Sequence, residues 1–356
     1  MGDSKLLPTL ASRNVDDGVG PIHGPRSHNR RCERPFAVRR PGGSAPPRIR
    51  LQQQGPRMGD GDGWVQCALG HRHWGRFGAA GLLVNADDDF VLQHRAPWTH
   101  EGGTWGLPGG ARDSHEDVVT SALREAKEEA DIDATFVAPV ALTVDDHGGW
   151  SYTTVAAQPR TFFEPRSMNA ESTEIRWWPE AGIDHLPLHP GFARTWPQVR
   201  HPVRPLTLVI DAANVVGSRP DGWWRDRLGA TRRLRDELAP LVRDGLPVRD
   251  LPADVDAGRF PVLLPRIMLV VEGAARQIKD DPVGDTPPWW VAALRIHASA
   301  RDGDTDVVKL AGQSRSRGDQ VFVVSADRRL RSQLNPDVTA VSPSWLLTRL
   351  AGAGAS

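Results

Sequence analysis

The chain has 356 residues, of which 39% are hydrophobic and 25% charged, and its formal net charge is zero. This balance excludes a uniformly basic nucleic-acid binder, and the length exceeds what one hydrophobic core usually supports, which predicts two domains. No apolar run in the sequence approaches the roughly 18 residues of a membrane-spanning helix, and the N-terminus lacks the apolar segment of a secretory signal. The two cysteines, Cys32 and Cys67, cannot form a disulfide framework, so we expect a cytoplasmic protein.

Residues 1–57 differ from the rest of the chain. They are rich in proline, glycine and arginine, and they carry eleven basic against four acidic residues, a net charge of +7. Such a segment buries too little apolar surface to offset the entropy of ordering, which predicts disorder. One interpretation is a basic arm that touches RNA. We favour the alternative, a mis-assigned start, with Met58 opening the first domain.

Residues 58–200 follow an α/β pattern. Four short apolar segments predict strands, at 79–84, 90–92, 152–156 and 175–178. The acidic turn at 87–89 separates the first two strands, and a long helix is predicted near 114–130. Before them, Cys67, His71 and His73 form a C-x3-H-x-H pattern that could supply part of a metal site. Because no second cysteine pair follows at zinc-ribbon spacing, we favour packing or surface roles for the three.

The segment 107–132 carries the strongest chemical signal. It begins with Leu-Pro-Gly-Gly, which disfavours a helix and lets the backbone approach a ligand closely. Ser114 stands three residues before Asp117, a capping-box spacing that predicts the helix start at Ser114. On this helix Glu125, Glu128 and Glu129 share one face. Their mutual repulsion would be relieved by Mg²⁺, which takes carboxylate oxygens together with substrate phosphates.

The alternative is a solvated acidic face on a surface helix. The Gly-Gly loop before the helix, the pair Arg124-Glu125 and a further acid, Glu116, favour the metal site. The guanidinium of Arg124 could orient a carboxylate through two hydrogen bonds.

This segment resembles the Nudix box, G-x5-E-x7-R-E-U-x-E-E-x-G-U, in which U is a bulky aliphatic residue. The positions that match are Gly110, Glu116, Arg124, Glu125, Glu128, Glu129 and Ile132. Two positions depart from it, Ala126 in place of an aliphatic residue and Asp131 in place of glycine. Since Asp tolerates the left-handed backbone better than most residues, we expect the helix end to survive. The lead-in at 103–110 resembles MutT-type members, and the resemblance covers about residues 64–196.

The resemblance implies an α/β/α sandwich with a mixed sheet. It implies that Glu125, Glu128, Glu129 and the carbonyl of Gly109 hold Mg²⁺ or Mn²⁺, with Glu125 a candidate for the base that activates water. Arg124 would orient the glutamates, and Glu116 would support the loop–helix junction. The implied reaction is attack of water on the diphosphate of a nucleoside diphosphate linked to another group, of the nucleoside triphosphate, ADP-ribose or nucleotide-sugar class.

Substrate recognition should come from residues outside the box. The candidates are Trp105, Gly110, Tyr152 and Glu174, with Asp145, His147, Asn169 and Glu171 as further possibilities. Each has an alternative role, because an aromatic residue packs in a core more often than it stacks on a base. Glu174 is also a candidate for an additional metal ligand.

A second domain is predicted at 205–350, after a linker marked by Pro197, Pro202 and Pro205. Three apolar strand segments, at 206–210, 267–271 and 321–325, alternate with helical stretches such as 224–243, which predicts a parallel sheet. Each segment ends at or leads into an acidic residue; these are Asp211, Glu272 and Asp327. Because ligands gather beyond the carboxyl ends of parallel strands, these acids with Asp304 and Asp306 predict a second metal site.

The stretches Val209-Ile-Asp211-Ala-Ala-Asn214 and Ser325-Ala-Asp327 resemble NYN domains of the PIN-like nuclease superfamily. This resemblance implies a metal at Asp211, Asn214, Asp304 and Asp327, and RNA as a partner. The alternative is that these acids are ordinary strand-end and helix-capping residues. The pairs Trp223-Trp224 and Trp289-Trp290 could stack on bases or pack in the core.

Three hypotheses for the whole chain follow. The first is a metal-dependent pyrophosphohydrolase acting through residues 58–200. The second is a metal-dependent ribonuclease acting through the second domain. The third is a nucleotide- or RNA-binding protein without turnover, which the complete set of Nudix-box glutamates disfavours.

Overall fold

The computed structural model describes residues 59–278 and 288–353, all within one compact unit, Pro56–Ser356. The predictions for residues 1–57 lie outside this part. Within the described residues, no helix has the length and apolar character needed to cross a membrane.

The first part of the described chain, up to residue 200, contains nine strands and three helices. In chain order they are β1 (Trp64–Gln66), β2 (Arg72–Trp74), β3 (Ala79–Ala86), β4 (Asp89–Arg95), β5 (Trp105–Gly106), β6 (Gly109–Ala111), α1 (Val118–Ala130), β7 (Val137–Asp146), β8 (Ser151–Pro159), β9 (Ser172–Pro179), α2 (Glu180–Ile183) and α3 (Pro190–Val199).

The second part of the described chain contains seven strands and five helices besides short 3-10 turns. They are β10 (Leu206–Asp211), α4 (Ala212–Gly217), α5 (Arg227–Asp244), β11 (Leu246–Pro247), β12 (Val262–Leu263), β13 (Arg266–Val271), β14 (Leu294–Ala298), α6 (Gly303–Ser316), β15 (Gln320–Val324), α7 (Arg328–Ser332), β16 (Thr339–Val341) and α8 (Pro343–Ala353).

Strand β3 is central to a mixed sheet. It pairs parallel with β8 and antiparallel with β4 and β6, and β7 continues the sheet beyond β8. Its Leu82, Leu83 and Val84 are almost fully buried, because both faces of this strand are covered. The predicted strands and the turn at 87–89 are confirmed, with Asp87 at a φ of 50°.

Five strands form a second, all-parallel sheet in the order β14-β13-β10-β15-β16. The predicted mixed α/β fold with a parallel C-terminal sheet is therefore confirmed. Strand β10 is at its centre and ends at Asp211, which is also the N-cap of α4. All of the predicted strand segments of this part lie in β10, β13 and β15.

Short strands from the second part extend the first sheet. Strand β12 pairs antiparallel with β7, with Val262 opposite Leu142, and β11 pairs with β12. One hydrophobic cluster also contains residues of both parts, among them Phe90, Trp196 and Leu208. The boundary near 200–205 remains a prediction, while Pro197 lies inside α3 rather than in the linker.

The start of α1 differs from the prediction. The N-cap is Asp117, whose carboxylate accepts from the backbone N–H groups of Val119 and Thr120. Ser114 instead binds Asp60 through its backbone N–H at 2.9 Å and its hydroxyl at 2.5 Å. A competing side-chain partner thus keeps Ser114 in the loop, and the helix begins four residues later at Val118.

Candidate active site

Arg124 connects the loop before α1 with the glutamates on it. Its Nε and Nη2 donate to the two carboxylate oxygens of Glu116 at 2.7 and 2.9 Å, and Nη2 also donates to the carbonyl of Ala111 at 3.0 Å. Its Nη1 donates to Glu125 at 2.8 Å. Burial opposes the charge of Glu116, but the hydrogen bonds and charge of Arg124 hold the pKa of that carboxyl below its ordinary value. The guanidinium therefore fixes both carboxylates.

Glu129 is the most deeply buried acid of the site, with 4% of its surface exposed. Its Oε2 accepts from the backbone N–H of Gly109 at 2.8 Å. Burial, with the nearby charge of Glu125, raises the pKa of Glu129 to about 8. Burial also raises the pKa of Glu125 to about 7, against the opposing effect of Arg124. A bound divalent cation would favour the charged form of both carboxyls.

The two glycines of the predicted glycine loop, Gly109 and Gly110, lie in the short strand β6, paired with β3, and fit closely around these carboxyls. A Cβ atom at Gly110 would lie 2.7 Å from the carboxyl carbon of Glu125, and one at Gly109 would collide with the carbonyl of Ala80. The loop therefore needs glycine at both positions for contact reasons. Glu128, on the same helix, is 61% exposed and lies 3.7 Å from Arg124. The potential ligands are all oxygen atoms, which suits Mg²⁺ or Mn²⁺.

Gln93 was not found by the sequence analysis. With its amide oriented so that the oxygen accepts from the hydroxyl of Ser172 at 2.6 Å, its nitrogen lies 3.2 Å from both Glu129 and the carbonyl of Leu107. Its side chain is 1% exposed. In the sequence, Gln93 is distinguished only as a polar residue within an apolar strand. No motif spacing connects it with the glutamates of α1.

A cavity of about 340 Å³ opens beside Gly109. Its lining includes six residues named from the sequence: Gly109, Asp145, His147 and Tyr152 of the predicted first site, and His71 and His73 of the C-x3-H-x-H pattern. The hydroxyl of Tyr152 lies against Gly81, and burial, with the charge of Glu129 next in size, raises the pKa of this phenol. The ring therefore lies close to the buried glutamates.

Three cationic or imidazole side chains on the cavity wall were also missed. Arg95 and Arg194 come from β4 and α3, and His189 is the N-cap of α3. The Nδ1 of His189 accepts from the backbone N–H of Gly191 at 3.1 Å. Burial, and then the charge of Arg95, lower the pKa of His189 to about 4, so its ring is neutral at pH 7. His189 and Arg194 are five positions apart at the start of α3, whereas Arg95 is distant in the sequence, and only the fold brings it to them.

The other predicted substrate residues lie elsewhere. Trp105 is 6% exposed and packs edge-on against Trp178, with ring centroids 5.2 Å apart. Glu174 is about half exposed and pairs with Arg176 at 3.4 Å. Trp105, Glu174, Asn169 and Glu171 are outside the lining of the cavity. Their assignment to the substrate stays a prediction, and the core position of Trp105 favours its packing role.

At the second predicted site, the acids gather at the carboxyl edge of the parallel sheet. Asp211 accepts from the hydroxyl of Ser325 at 3.0 Å, and the side chain of Asn214 accepts from the backbone of Ala326 at 2.7 Å. Burial and the charges of Asp304 and Glu272 raise the pKa of Asp211. The charges of Asp304 and Glu272 thus act on Asp211, and the three acids form one electrostatic cluster.

Two of these acids also have capping roles, as the alternative interpretation expected. Asp211 and Asp327 are the N-caps of α4 and α7. Asp306 lies 3.1 Å from the Nε2 atom of His297. Burial, followed by the charge of Asp327, raises the pKa of Asp304.

The first part of the described chain matches known proteins. The NUDIX domain model matches residues 75–198. A Mycobacterium tuberculosis protein named "Putative 8-oxo-dGTP diphosphatase 3" is 49% identical over 154 residues, which cover 40% of this chain and 70% of that protein. A nucleoside triphosphate pyrophosphatase/Nudix hydrolase fusion protein of Bifidobacterium longum is 43% identical over 147 residues, covering 39% of this chain and 30% of the fusion.

A solved structure of a Nudix hydrolase from M. smegmatis, RenU, is 45% identical. The matched region covers 39% of this chain and 93% of the RenU chain, with a TM-score of 0.37.

Proposed function

This chain belongs to the Nudix family of hydrolases, and from that premise we propose that it cleaves the diphosphate of nucleoside triphosphates, with oxidised purine nucleotides as the first class to test. One observation carries the proposal. The buried carboxyls of Glu125 and Glu129 lie at the glycine loop, beside a cavity whose wall carries Arg95 and Arg194. Gly109 lines this cavity and donates its N–H to Glu129, and it thus links the acids that would hold a cation to the cavity with the arginines.

The acidic side of the site would hold the metal. Glu125, Glu128, Glu129 and the carbonyl of Gly109 are the proposed ligands of Mg²⁺ or Mn²⁺. When bound, such an ion activates water and offsets the charge that develops on the diphosphate. Glu125 is the proposed base, because its carboxyl lies against Gly110 and Nη1 of Arg124 holds it at 2.8 Å.

The basic wall would hold the substrate. The guanidinium groups of Arg95 and Arg194 match phosphate oxygens in charge and hydrogen-bonding geometry. The neutral ring of His189 suits a hydrogen bond to a nucleobase or sugar better than an ion pair with phosphate. The name of the mycobacterial relative favours a purine nucleoside triphosphate, and ADP-ribose and nucleotide sugars are the competing classes.

The test is a mass-spectrometric product screen of a nucleotide panel with Mg²⁺ and with Mn²⁺. The panel contains 8-oxo-dGTP, dGTP, ADP-ribose and a nucleotide sugar. We expect nucleoside monophosphate and pyrophosphate from 8-oxo-dGTP, and a loss of at least about 100-fold in Glu125→Gln and Glu129→Gln. Glu164→Gln, a change of the same type at an exposed position, should retain activity.

Other outcomes of the screen decide between hypotheses. Turnover of ADP-ribose or a nucleotide sugar alone would replace the proposed substrate class while keeping the chemistry. Ligand binding without any product, with Mn²⁺ present, would support the non-catalytic hypothesis instead.

A second activity is supported by the cluster of acids at the parallel sheet. Asp211, Asn214, Asp304 and Asp327 are the proposed ligands of a metal that assists RNA cleavage. Asp211 and Asp327 cap the helices that follow β10 and β15, and the charge of Asp304 raises the pKa of Asp211, which supports a shared acidic site. Cleavage of single-stranded RNA with Mn²⁺ should vanish in Asp211→Asn and survive Glu129→Gln. Equal cleavage by the Asp211→Asn variant would leave only the capping role.

A further inference from the structure

Four side chains of the types that bind metals, contributed by two hairpins, lie close together, and three of them line the cavity. Cys67 follows β1, His71 and His73 flank the start of β2, and His147 lies in the turn between β7 and β8. One potential ligand atom from each residue lies within 4.8 Å of the corresponding atom of every other. The fourth member, His147, is 74 positions or more from the others, so the sequence pattern was incomplete without the fold.

Two ring nitrogens in this group have no hydrogen-bond partner. These atoms are Nε2 of His73 and Nδ1 of His147, and both are inaccessible to solvent. The side chain of His147 is only 9% exposed. A buried imidazole nitrogen without a partner costs free energy unless something binds its lone pair or its proton. The thiol of Cys67 is also buried and free of any disulfide.

The surroundings hold the imidazole rings in place. The Nε2 atom of His147 lies 3.2 Å from a carboxylate oxygen of Asp145, which leaves Nδ1 as the free nitrogen. A carboxylate on the second nitrogen is the usual outer partner of a metal-bound histidine. His73 stacks on Trp150 with ring centroids 3.9 Å apart and an interplanar angle of 9°. The indole of Trp150 in turn donates to the carbonyl of Trp74 at 3.1 Å.

The backbone of the two hairpins is already joined at this point. The N–H of Ala68 donates to the carbonyl of Gly148 at 2.8 Å, and the N–H of Cys67 donates to the carbonyl of His71 at 3.0 Å. The ligands therefore stand on two turns that are fixed relative to each other, which is the arrangement that a rigid metal site needs.

We propose that Cys67, His71, His73 and His147 bind one Zn²⁺ ion, at a site separate from the oxygen ligands of α1. One thiolate and three neutral imidazoles complete the four-coordinate shell of a structural zinc site, and binding releases the thiol proton. The ion would clamp the β1–β2 hairpin onto the β7–β8 turn. Because His71, His73 and His147 also line the cavity, this clamp would fix one wall of it.

The alternative is that the four residues only pack together. Packing accounts for the buried thiol of Cys67 and for the stacking of His73 on Trp150. Packing leaves the two buried nitrogens unpaired. Asp145 also accepts from Arg194 at 3.1 Å, so its contact with His147 fits either account, and the unpaired nitrogens decide between them.

The test measures zinc in the full-length protein purified with excess Mg²⁺. We expect one zinc ion per chain in wild type, in Glu129→Gln and in Cys32→Ser, and loss of zinc in Cys67→Ser and His147→Ala. The Co²⁺-loaded wild type should show a thiolate-to-cobalt charge-transfer band that is missing in Cys67→Ser and present in Cys32→Ser. Exposed His185→Ala is the matched control for the histidine change.

A second measurement does not depend on how the variants fold. In wild type, added zinc should slow alkylation of Cys67 by at least about 10-fold, as followed by peptide mass spectrometry. Zinc-free wild-type protein that neither binds added Zn²⁺ nor protects Cys67 would overturn the proposal. So would equal zinc in wild type and Cys67→Ser.

Discussion

The guanidinium of Arg124 donates to both carboxylate oxygens of Glu116, from Nε at 2.7 Å and from Nη2 at 2.9 Å, while its Nη1 reaches Glu125. Lysine cannot reproduce this two-point geometry. We expect Arg124→Lys to lower kcat/KM by about 10- to 100-fold, because the proposed ligand Glu125 loses its support. Steady-state kinetics check this, with Arg235→Lys, whose partner is the exposed Asp236, as the control. Unchanged kinetics in Arg124→Lys would show that the positioning role is wrong.

Gly110 leaves no room for a side chain beside Glu125. In Gly110→Ala, the new Cβ would lie 2.7 Å from the Glu125 carboxyl and push it aside. A displacement of this order costs about 100-fold in kcat, with a smaller effect on folding.

Gly312→Ala is the matched control, since it lies within α6 and a Cβ there meets nothing within 4 Å. This control should keep its activity and gain about 0.5–1 kcal/mol of stability. Full activity in Gly110→Ala would contradict the proposed placement of Glu125.

Glu129 should make the metal-free protein less stable as pH rises. Its pKa in the folded protein is about 8, above the ordinary value of 4.5, so the folded state holds its proton more tightly than the unfolded state. The resulting stabilisation is complete below about pH 4.5 and is lost as pH rises to about 8. Glu129→Gln keeps an acceptor for Gly109 without a charge to bury.

In thermal melts with a chelator, the difference in Tm between wild type and Glu129→Gln should therefore grow as pH rises. The Tm of Glu129→Gln should exceed that of wild type by at least about 5 °C at pH 8.5, and the gap should close near pH 5. Mg²⁺ should raise the Tm of wild type more than that of the variant. Parallel Tm curves across this range would contradict the buried, proton-holding state of Glu129.

Asp131 ends α1 in the left-handed conformation, with φ 55° and ψ 26°. Its carboxylate also binds Lys127 at 2.6 Å. Asp131→Ala should cost about 1 kcal/mol, because alanine tolerates this backbone less well. Asp131→Gly should lose less of the free energy of unfolding. Glycine removes the backbone strain, although the exposed ion pair with Lys127 is lost. Urea unfolding of both variants checks this order, and equal losses would assign the effect to the ion pair alone.

The parts of the site that lie close together in sequence could be predicted. The spacing of Glu116, Arg124, Glu125 and Glu129 placed them together because one loop and one helix carry them all. The left-handed end at Asp131 followed from the tolerance of aspartate for that backbone, and it is confirmed. The helix start was predicted wrongly, because the partner that holds Ser114 in the loop is Asp60, 54 positions earlier.

The remaining wall of the cavity could not be predicted. Arg95 comes from β4, whereas His189 and Arg194 both belong to the start of α3, and no motif spacing in the sequence connects the strand residue with the helix residues. The same holds for Gln93 and for His147, whose partners are known only once β4, β7 and their neighbours are paired. Long-range pairing of strands, rather than local propensity, decides which of the chain's many polar residues meet.

Strand β12 covers part of the outer edge of β7, although it comes from residues beyond the 75–198 that the family model matches. A protein shortened to its first 200 residues would leave that edge open, with backbone groups ready to join a strand of another copy. By pairing β12 with β7, the later half of the chain therefore also protects the earlier half against aggregation through this edge. Val262 and Leu263 cover this edge of β7 whatever the role of Asp211, so loss of β12 would expose the edge of the hydrolase part even in a chain without a second activity.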